Sequence, residues 1–359
     1  MPRRPSVHET ASTRSAASNG AHAAKTRPQA AKTKSEAHQP VRHAETTPQR
    51  SGKTDSAADS ARLKSVPARE ATTPLGAALL DVAHATRAAL ALENPVTAIH
   101  KTRRALKEAR ALLLLVDGQH RPAARQLRRE LGDAAHSLGS ARDRHIIHDA
   151  IAELTSHKRH RPLDDALARR IVGSLAGRGA GQTSETPADL HALRASGLAE
   201  KIADHVHLAS DIGTEDLAGA LTTGYRRARS AARGIDRDDA EALHEVRKQV
   251  VAHVCQMELA APWWPRLGEL WLKELQRLRG LLGRHHDLEI LLTKLDEAPG
   301  RLSPDQVATA MDAASQHQRT LARKALRRHA RLFAERPRAF LRRHEAYLHA
   351  SMDRAENRE

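Results

Sequence analysis

Residues 99–104 read IHKTRR, and residues 243–248 read LHEVRK. Farther along the chain, residues 138–143 read LGSARD and residues 282–287 read LGRHHD. Both pairs lie 144 residues apart, so the chain repeats one unit in register without a gap. A duplicated helical unit that carries His-x-x-Arg-(Arg/Lys) twice predicts a site built around a pseudo-twofold axis. Positive charge is what the two copies share, and it predicts an anionic partner.

The composition supports an anionic partner that has no bases. Lys and Arg number 59 against 43 Asp and Glu, which gives a net charge of +16 with His neutral. A soluble protein this basic usually meets nucleic acid, an anionic membrane face or a polyphosphate. Only 2% of the residues are aromatic, and all of them lie from Tyr225 onward. Readers of single-stranded nucleic acid stack bases on aromatic rings, so we expect a partner without bases or one held through its phosphates.

Cysteine content and hydropathy predict a cytoplasmic protein. The single cysteine, Cys255, excludes an intramolecular disulfide and fits a reducing compartment. It lies in an apolar helical stretch, which predicts a buried and unreactive thiol. No apolar run approaches the roughly 18 to 20 residues that span a bilayer, and the N-terminus has no apolar core of the secretory type.

Residues 1–74 are predicted to be a disordered basic tail, because they contain almost no large apolar side chains. They hold 13 Lys and Arg against 6 Asp and Glu, a net charge of +7. Such a tail is typical of basic arms that bind polyanions without sequence preference. A plain linker or a transit peptide is the alternative interpretation.

From Leu75 onward the pattern predicts an all-α fold with no strands. The predicted helices are 76–93, 95–116, 121–139, 142–155, 162–176, 188–208, 214–233, 238–260, 264–283, 285–297, 304–334 and 337–356. Start signals occur at residues 94–95, 214–216 and 303–305. The glycine-rich segment 177–187 predicts a hinge between an N-terminal half, 75–176, and a C-terminal half, 188–352.

The helix predicted at 95–116 has one cationic and one apolar face. Five basic side chains share an arc of roughly 120°. They are His100, Arg103, Arg104, Lys107 and Arg110. Leucine, alanine and valine side chains occupy the opposite face, namely Leu106, Ala109, Leu112, Leu113 and Val116. On the next helix the basic face holds Arg121, Arg125, Arg128, Arg129 and His136, opposed by Leu127, Leu131 and Leu138.

Like charges at these spacings repel by a few tenths of a kcal/mol per pair. Because the pattern recurs, a bound anion explains it better than a solvated face. The second copy of the repeat has fewer basic residues, since Val251 and Val254 occupy the positions of Lys107 and Arg110. The remaining C-terminal basic residues are His244, Arg247, Lys248, Lys273, Arg277, the arginines Arg226, Arg227 and Arg229 of the stretch 225–229, Arg233, Arg319, Arg323, Lys324, Arg327, Arg328 and Arg331. The two halves are therefore expected to form a groove that is basic throughout but not symmetric.

The two copies resemble a known family. The IHKTRR stretch with Lys107 and Arg110, followed by LGSARD, resembles the N-terminal half of a CHAD domain, the conserved-histidine α-helical domain. Residues 243–248 and 282–287 resemble its C-terminal half. The similarity covers roughly 75–350. It implies paired helical bundles related by pseudo-twofold symmetry around a basic central channel that binds inorganic polyphosphate, and it implies an association with polyphosphate granules.

The resemblance also implies the ligand residues. Those of the first half are His100, Arg103, Arg104, Lys107, Arg110, Arg128 and Arg129. Those of the second half are His244, Arg247, Lys248, Lys273 and Arg277, with Arg226 and Arg233 from the preceding helix. Arg forks onto two phosphate oxygens, Lys acts as a point charge, and a nearby phosphate favours protonated His.

Other functions fit the sequence less well. Residues 143–148 and 285–287 hold the densest His and Asp groups, but neighbouring arginines repel a metal ion, and no nucleophile or acid–base motif is present. We therefore expect no enzyme, no metal and no cofactor. Asp143 and Asp287 are interpreted as helix caps. A nucleic-acid-associated protein that organises granules or the nucleoid is the main alternative, and a helical scaffold is a third.

Overall fold

A computed structural model describes residues 73–138, 143–156, 163–176, 188–297 and 302–356. Every regular element in these ranges is helical, which confirms the all-α prediction. The helices are α1 (Pro74–Leu90), α2 (Pro95–Leu112), α3 (Arg121–Ser137), α4 (Asp143–Ser156), α5 (Asp165–Ala176), α6 (Ala188–Ala195), α7 (Leu198–Asp204), α8 (Leu217–Ala231), α9 (Ala240–Glu258), α10 (Pro265–Asp296), α11 (Pro304–Leu332) and α12 (Pro337–Glu356). The tail as far as residue 72 and the hinge predicted at 177–187 lie outside the described residues.

Side-chain caps and prolines set several helix starts. The Asn94 side chain accepts a hydrogen bond from the Thr97 amide at 3.0 Å, and Pro95 opens α2. Ser303 and Gln306 form a reciprocal capping box at the start of α11. These two starts were predicted. The third signal, at residues 214–216, is followed by α8 at Leu217, but the Asp216 side chain makes no capping hydrogen bond.

The single helix predicted at 188–208 is wrong. The structure divides it into α6 and α7, followed by a 3-10 helix at Val206–Ala209. The break lies at Gly197, which has a φ of +63°. Glycine adopts this left-handed conformation without the steric penalty that a Cβ imposes. The α-helix therefore stops and restarts on either side of this residue.

The break predicted near Gly283 is also wrong, because α10 runs without interruption through it. The helix buries a continuous stripe at spacings of three and four residues, made of Leu275, Leu278, Leu282, His285, Leu288, Leu291 and Leu295. Burial of this stripe outweighs the roughly 1 kcal/mol that an interior glycine costs a helix. Asp287 consequently lies inside α10, and the interpretation of Asp287 as a helix cap is wrong. Asp143 is the first residue of α4.

Two hydrophobic cores organise the helices. The first contains completely buried leucines of α1 to α3 and of α8, among them Leu79, Leu106 and Leu221. The second joins α4 and α5 to the C-terminal part of α10 and the N-terminal part of α11, with Ile171 and Leu291 at its centre. The long helices α10 and α11 pack side by side and contribute to both cores. They therefore connect the two cores.

Replacing Gly283 by alanine is expected to raise the free energy of unfolding by about 0.5 to 1 kcal/mol. An added Cβ meets no atom within 4 Å, so only the helical propensity changes. The matched control is Gly268→Ala in the same helix, where a Cβ would lie 2.6 Å from the backbone of Ala261 and should destabilise the fold. Urea denaturation followed by circular dichroism measures both. Equal shifts for the two variants would contradict the continuous α10.

His253 is buried among aromatic side chains of the first core. His253 is completely buried, with its ring 5.7 Å from Tyr225 and 5.5 Å from Phe333, centroid to centroid. Burial lowers the pKa of His253 to about 3. His344, 4% exposed and beside Phe340, has its pKa lowered to about 4, again mainly by burial. Both rings are therefore neutral in the folded protein at neutral pH.

These histidines make the fold sensitive to acid. In the unfolded chain each histidine has a pKa near 6.5. In the folded chain the pKa values are about 3 for His253 and about 4 for His344, so both rings stay neutral to a lower pH. The two neutral histidines contribute fully to the free energy of unfolding above pH 6.5. As the pH falls below that value, each histidine lowers the free energy of unfolding by about 1.4 kcal/mol per pH unit. His253→Leu should reduce this slope between pH 6 and 4.5, measured by urea denaturation. An unchanged slope would show that His253 is not kept neutral.

Candidate functional site

The cationic face of α2 lies at the surface as predicted. His100 and Arg104 are exposed, whereas Arg103, Lys107 and Arg110 are half-buried. The opposite face is sealed in the first core, where Leu106, Ala109 and Leu112 are at most 2% exposed. The predicted amphipathic character of this helix is therefore confirmed.

Two arginines of α2 are fixed against α3. The Arg103 guanidinium donates a hydrogen bond to the backbone carbonyl of Ala135. The Arg110 guanidinium lies against Gly132, where an added Cβ would be 3.3 Å from Arg110 Cζ. Gly132 thus makes room for Arg110, a role that the sequence analysis missed. The available signal was the glycine itself, since a helix-interior glycine often marks close packing.

Three arginines from three helices form a cluster, here called the three-helix cluster: Arg110 of α2, Arg128 of α3 and Arg227 of α8. The pKa of Arg128 is lowered, first by burial and then by repulsion from Arg110, Arg227 and Arg125. Arg227 donates to the Leu114 carbonyl at 2.9 Å. Its own pKa is lowered by burial and by other arginines.

The three-helix cluster contains hydrogen-bond donors that have no acceptor in the described part of the structure. The Nε atoms of Arg110 and Arg128 are buried and have no hydrogen-bond partner among the described residues. Buried donors normally have a partner, and those that lack one destabilise the fold by about 1 to 3 kcal/mol. An anion at this position would supply both the acceptors and the opposite charge. Arg227 was noticed in the sequence but was not included among the predicted ligands.

Other predicted ligands of this region lie outside the cluster. Arg129 is exposed and donates to the Gln126 side chain at 2.7 Å on its own helix. Arg226 is exposed on α8, and its charge contributes to the lowered pKa of Arg227. Arg233 is exposed beyond the last residue of α8. Of these three side chains, only Arg226 is shown to act on a member of the cluster, so the structure does not bring all of the predicted ligands together.

The second copy centres on a pair of histidines. The rings of His244 on α9 and His286 on α10 lie 4.3 Å apart, centroid to centroid. The pKa of His244 is lowered by burial and by the charges of Lys248 and Arg247. Lys248 is exposed and pairs with Glu245 at 3.1 Å. His286 belongs to the repeated stretch 282–287 and to the possible metal group at 285–287 but is not among the predicted ligands, so its position beside His244 is new.

The reduced charge of the second copy follows from packing. Val254 is completely buried in the first core and Val251 is half-buried. The part of α9 that corresponds to Lys107 and Arg110 therefore faces apolar surroundings, where a cation is unfavourable without a partner.

Arg104 lies near two carboxyl groups, those of Glu108 and Glu258. Burial raises the pKa values of Glu108 and Glu258, and the charge of Arg104 opposes this shift at both carboxyl groups. The neighbouring Cys255 is half-buried, and burial raises the pKa of its thiol to about 12. Because the thiolate is the reactive form, the raised pKa agrees with the predicted unreactive thiol, although Cys255 is half-buried and not fully buried as predicted.

A cleft between α10 and α11 collects further cations. The α10–α11 cleft has a volume of about 530 Å³ and is lined by Arg277, Gly280, Leu281, Arg284, Lys324, Arg327, Arg328 and Arg331. Arg277 was a predicted ligand, whereas its cationic neighbours in the cleft were not. Glu274 forms ion pairs with Arg277 and with Arg328. Lys273, another predicted ligand, is exposed on α10.

Two further features bear on function. Within the described ranges, no group of three or more His, Cys, Asp or Glu side chains is arranged to hold a metal ion. The side chain of His145, which belonged to the densest predicted His and Asp group, lies outside the described residues. In the part of the chain that the structure covers, no helix is both long and apolar enough to cross a membrane.

The helices and cation clusters define an all-helical protein with a strongly basic surface. A family model described as CHAD domain matches residues 74–296, which is more than half of the chain. The chain belongs to the CHAD-domain family. The match runs from the first residue of α1 to the last residue of α10, so α11 and α12 lie beyond it. No curated protein and no solved structure matches the chain.

Removing the charge of Arg128 should stabilise the protein when no anion is bound. Because burial and repulsion disfavour the charged form, Arg128→Met is expected to raise the free energy of unfolding by about 0.5 kcal/mol in dilute buffer. Salt should reduce the gain by screening. Arg129→Met is the matched control, because this arginine is exposed and bonded to Gln126. Thermal denaturation in a buffer free of phosphate and sulfate measures both, and a destabilised Arg128→Met would contradict the repulsive cluster.

Proposed function

We propose that this protein binds inorganic polyphosphate without catalysing a reaction. The observation that carries the proposal is the three-helix cluster, where the buried Nε atoms of Arg110 and Arg128 have no partner among the described residues and where the charges of Arg110 and Arg227 both act on Arg128. A bound phosphate chain would remove this repulsion and accept hydrogen bonds from the buried Nε atoms. The family membership supports the same function, because the CHAD resemblance implies polyphosphate binding.

The proposed site extends over both copies of the repeat around a pseudo-twofold axis. Helices α1, α2 and α3 begin 143 to 145 residues before α8, α9 and α10, and α2 packs against α9. This spacing and this contact support two related halves, 75–176 and 188–352, that are joined at 177–187 and enclose a basic central channel. Its ligands are His100, Arg103, Arg104, Lys107, Arg110, Arg128, Arg129, Arg226, Arg227, Arg233, His244, Arg247, Lys248, Lys273 and Arg277.

Polyphosphate fits this set of side chains because it is a repeating anion without bases. Arginine guanidinium groups bind two oxygens of a phosphate group, and lysines contribute point charges. Neither the arginine nor the lysine contacts depend on the base sequence of the partner. Binding by many cations releases counterions, so the affinity should fall steeply with salt. In the cell this binding would hold the protein at cytoplasmic polyphosphate granules.

Nucleic acid is the second candidate partner, and one observation favours it. Residues 1–74 carry a net charge of +7, which suits contact with any phosphate backbone. On this alternative the protein would organise granules or the nucleoid through phosphate contacts. The two candidates differ in where the binding energy lies: the helical domain for polyphosphate, the tail for nucleic acid.

Arg110→Gln combined with Arg128→Gln should weaken binding to long-chain polyphosphate at least about tenfold, because two charge-assisted contacts are lost. The matched control is Arg169→Gln with Arg170→Gln, which removes the same charge from exposed positions on α5. Fluorescence anisotropy with labelled polyphosphate measures the affinity, and circular dichroism checks the helix content. Equal losses in the two double variants would show that only net charge matters and would refute the site.

The same assay separates the two candidate partners. Excess duplex DNA, at the same phosphate concentration as unlabelled polyphosphate, is expected to displace the labelled chain poorly. Deleting residues 1–72 should leave polyphosphate binding within about threefold and reduce DNA binding more strongly. Efficient displacement by DNA would favour the nucleic-acid alternative.

A further inference from the structure

The first turns of α10 and the middle of α12 form an exposed aromatic groove. Trp264 and Tyr347 meet edge to face with their ring centroids 4.8 Å apart, and Trp264 is 46% exposed. Leu267 and Trp271 line the same groove from α10. Leu270 lies about one helical turn beyond Leu267 on the same flank of α10 and is 57% exposed. These five side chains are here called the aromatic patch.

The aromatic patch concentrates apolar surface that the rest of the fold keeps buried. In the described ranges, the large apolar side chains that are exposed are Val96, Trp264 and Leu270. Single exposed apolar side chains are normal in soluble proteins, whereas a contiguous patch of them marks a contact surface. Tryptophan and tyrosine are also enriched among the side chains that contribute most to binding between proteins. We therefore expect another molecule to cover this patch.

One wall of the groove is fixed before any partner arrives. The Arg343 guanidinium forms an ion pair with Glu335 at 2.7 Å. It also lies over the rings of Trp271 and Tyr347, at 5.5 and 5.8 Å from their centroids. Cation–π contacts and an ion pair thus hold these side chains in one arrangement. Less conformational entropy is lost on association when the side chains of the contact surface are already ordered.

The segments that carry the aromatic patch are close to electrically neutral, unlike the rest of the chain. Residues 265–274, Glu335 and residues 343–354 hold four Lys and Arg against five Asp and Glu, a net charge of −1 with His neutral. The whole chain carries +16. A polyanion or an acidic protein is therefore attracted to the basic surfaces and not to this patch. Two copies of a basic chain repel each other least where their surfaces are neutral, and a surface that carries both signs is complementary to itself.

We propose that the aromatic patch is the contact surface between two copies of this chain. Such a contact is isologous: a twofold axis places the patch of one copy against the patch of the other. Trp264 and Leu270 of both copies leave water together, which supplies the hydrophobic driving force. The exposed Arg266 and Glu269 beside them supply both signs of charge for pairing across the axis. The dimer does not depend on polyphosphate binding.

Leu270→Glu should raise the dissociation constant of the dimer at least about tenfold, because it places two like charges at an apolar contact. Val96→Glu is the matched control, since Val96 on α2 is 56% exposed and receives the same charge away from the patch. Sedimentation equilibrium of the full chain measures the dissociation constants, and circular dichroism shows whether both variants fold. A wild-type chain that stays monomeric would assign the patch to a different partner and refute the proposal, and so would equal losses in the two variants.

The salt dependence separates this dimer from copies that are bridged by a polyanion. Salt screens the repulsion between two chains of charge +16 and leaves the burial of the apolar side chains intact. The dissociation constant of the dimer should therefore fall as sodium chloride is added. Copies held together by residual polyphosphate or nucleic acid would separate instead, because contacts with phosphates weaken with salt. A dimer that dissociates in the salt series would overturn the proposal.

Hydroxyl-radical footprinting with mass spectrometry locates the contact on the wild-type chain. Trp264 and Tyr347 should react more slowly in the dimer than in the Leu270→Glu monomer, because the second copy shields their rings. His84 is exposed on α1 and serves as the internal control, with equal reactivity expected in both samples. Equal reactivity of Trp264 in the dimer and in the monomer would place the contact elsewhere on the chain and overturn the proposal.

Discussion

Burial of the apolar helix faces is the constraint on which the cationic sites depend. Leu106 of α2, Leu131 of α3 and Leu221 of α8 are completely buried in the first core. Because these faces are fixed towards the core, the cationic side chains of the same helices are held close enough for Arg110 and Arg227 to repel Arg128. An arginine on a mobile loop would turn away from such neighbours. Here the energy of core packing maintains an electrostatically unfavourable arrangement, which is a common property of functional sites.

The sequence predicts those features of the fold that depend on the helical periodicity, such as which face of a helix is buried. The cationic and apolar faces of α2 follow from a 3.6-residue repeat, and the structure reproduces both. What it could not predict are contacts between helices that are distant in sequence. Arg227 acts on Arg128 although the two lie on helices distant in sequence, and Gly132 admits Arg110 because α2 and α3 pack against each other. Periodicity shows which way a side chain faces, but not which neighbour it meets.

Two helix boundaries differ from the predicted ones because local signals do not report tertiary packing. A Leu-Gly pair is a local stop signal, yet α10 passes through Gly283 because leucines on both sides of it are buried in two different cores. Conversely, the buried positions on the two sides of Gly197 are out of phase, because the step from Leu193 to Leu198 is five residues and does not keep one helix face, and there the left-handed conformation ends the helix. The second core also combines α4 and α5 with α10 and α11, helices on opposite sides of residues 177–187. A local signal decides a boundary only where tertiary packing does not oppose it.

The placement of the aromatic rings bears on which polyanion these surfaces suit. Tyr225 and Phe340 stack in the first core, 4.1 Å apart, and the cation–π contacts of the described residues all belong to Arg343. The cations of the three-helix cluster and of the α10–α11 cleft therefore have no ring beside them on which a base could stack. A DNA duplex keeps its bases stacked and needs no ring, but its phosphates lie on a wide and stiff helix that a 530 Å³ cleft does not admit. A flexible chain of phosphates would meet neither obstacle, because it has no bases to accommodate and is not confined to a wide, stiff helix.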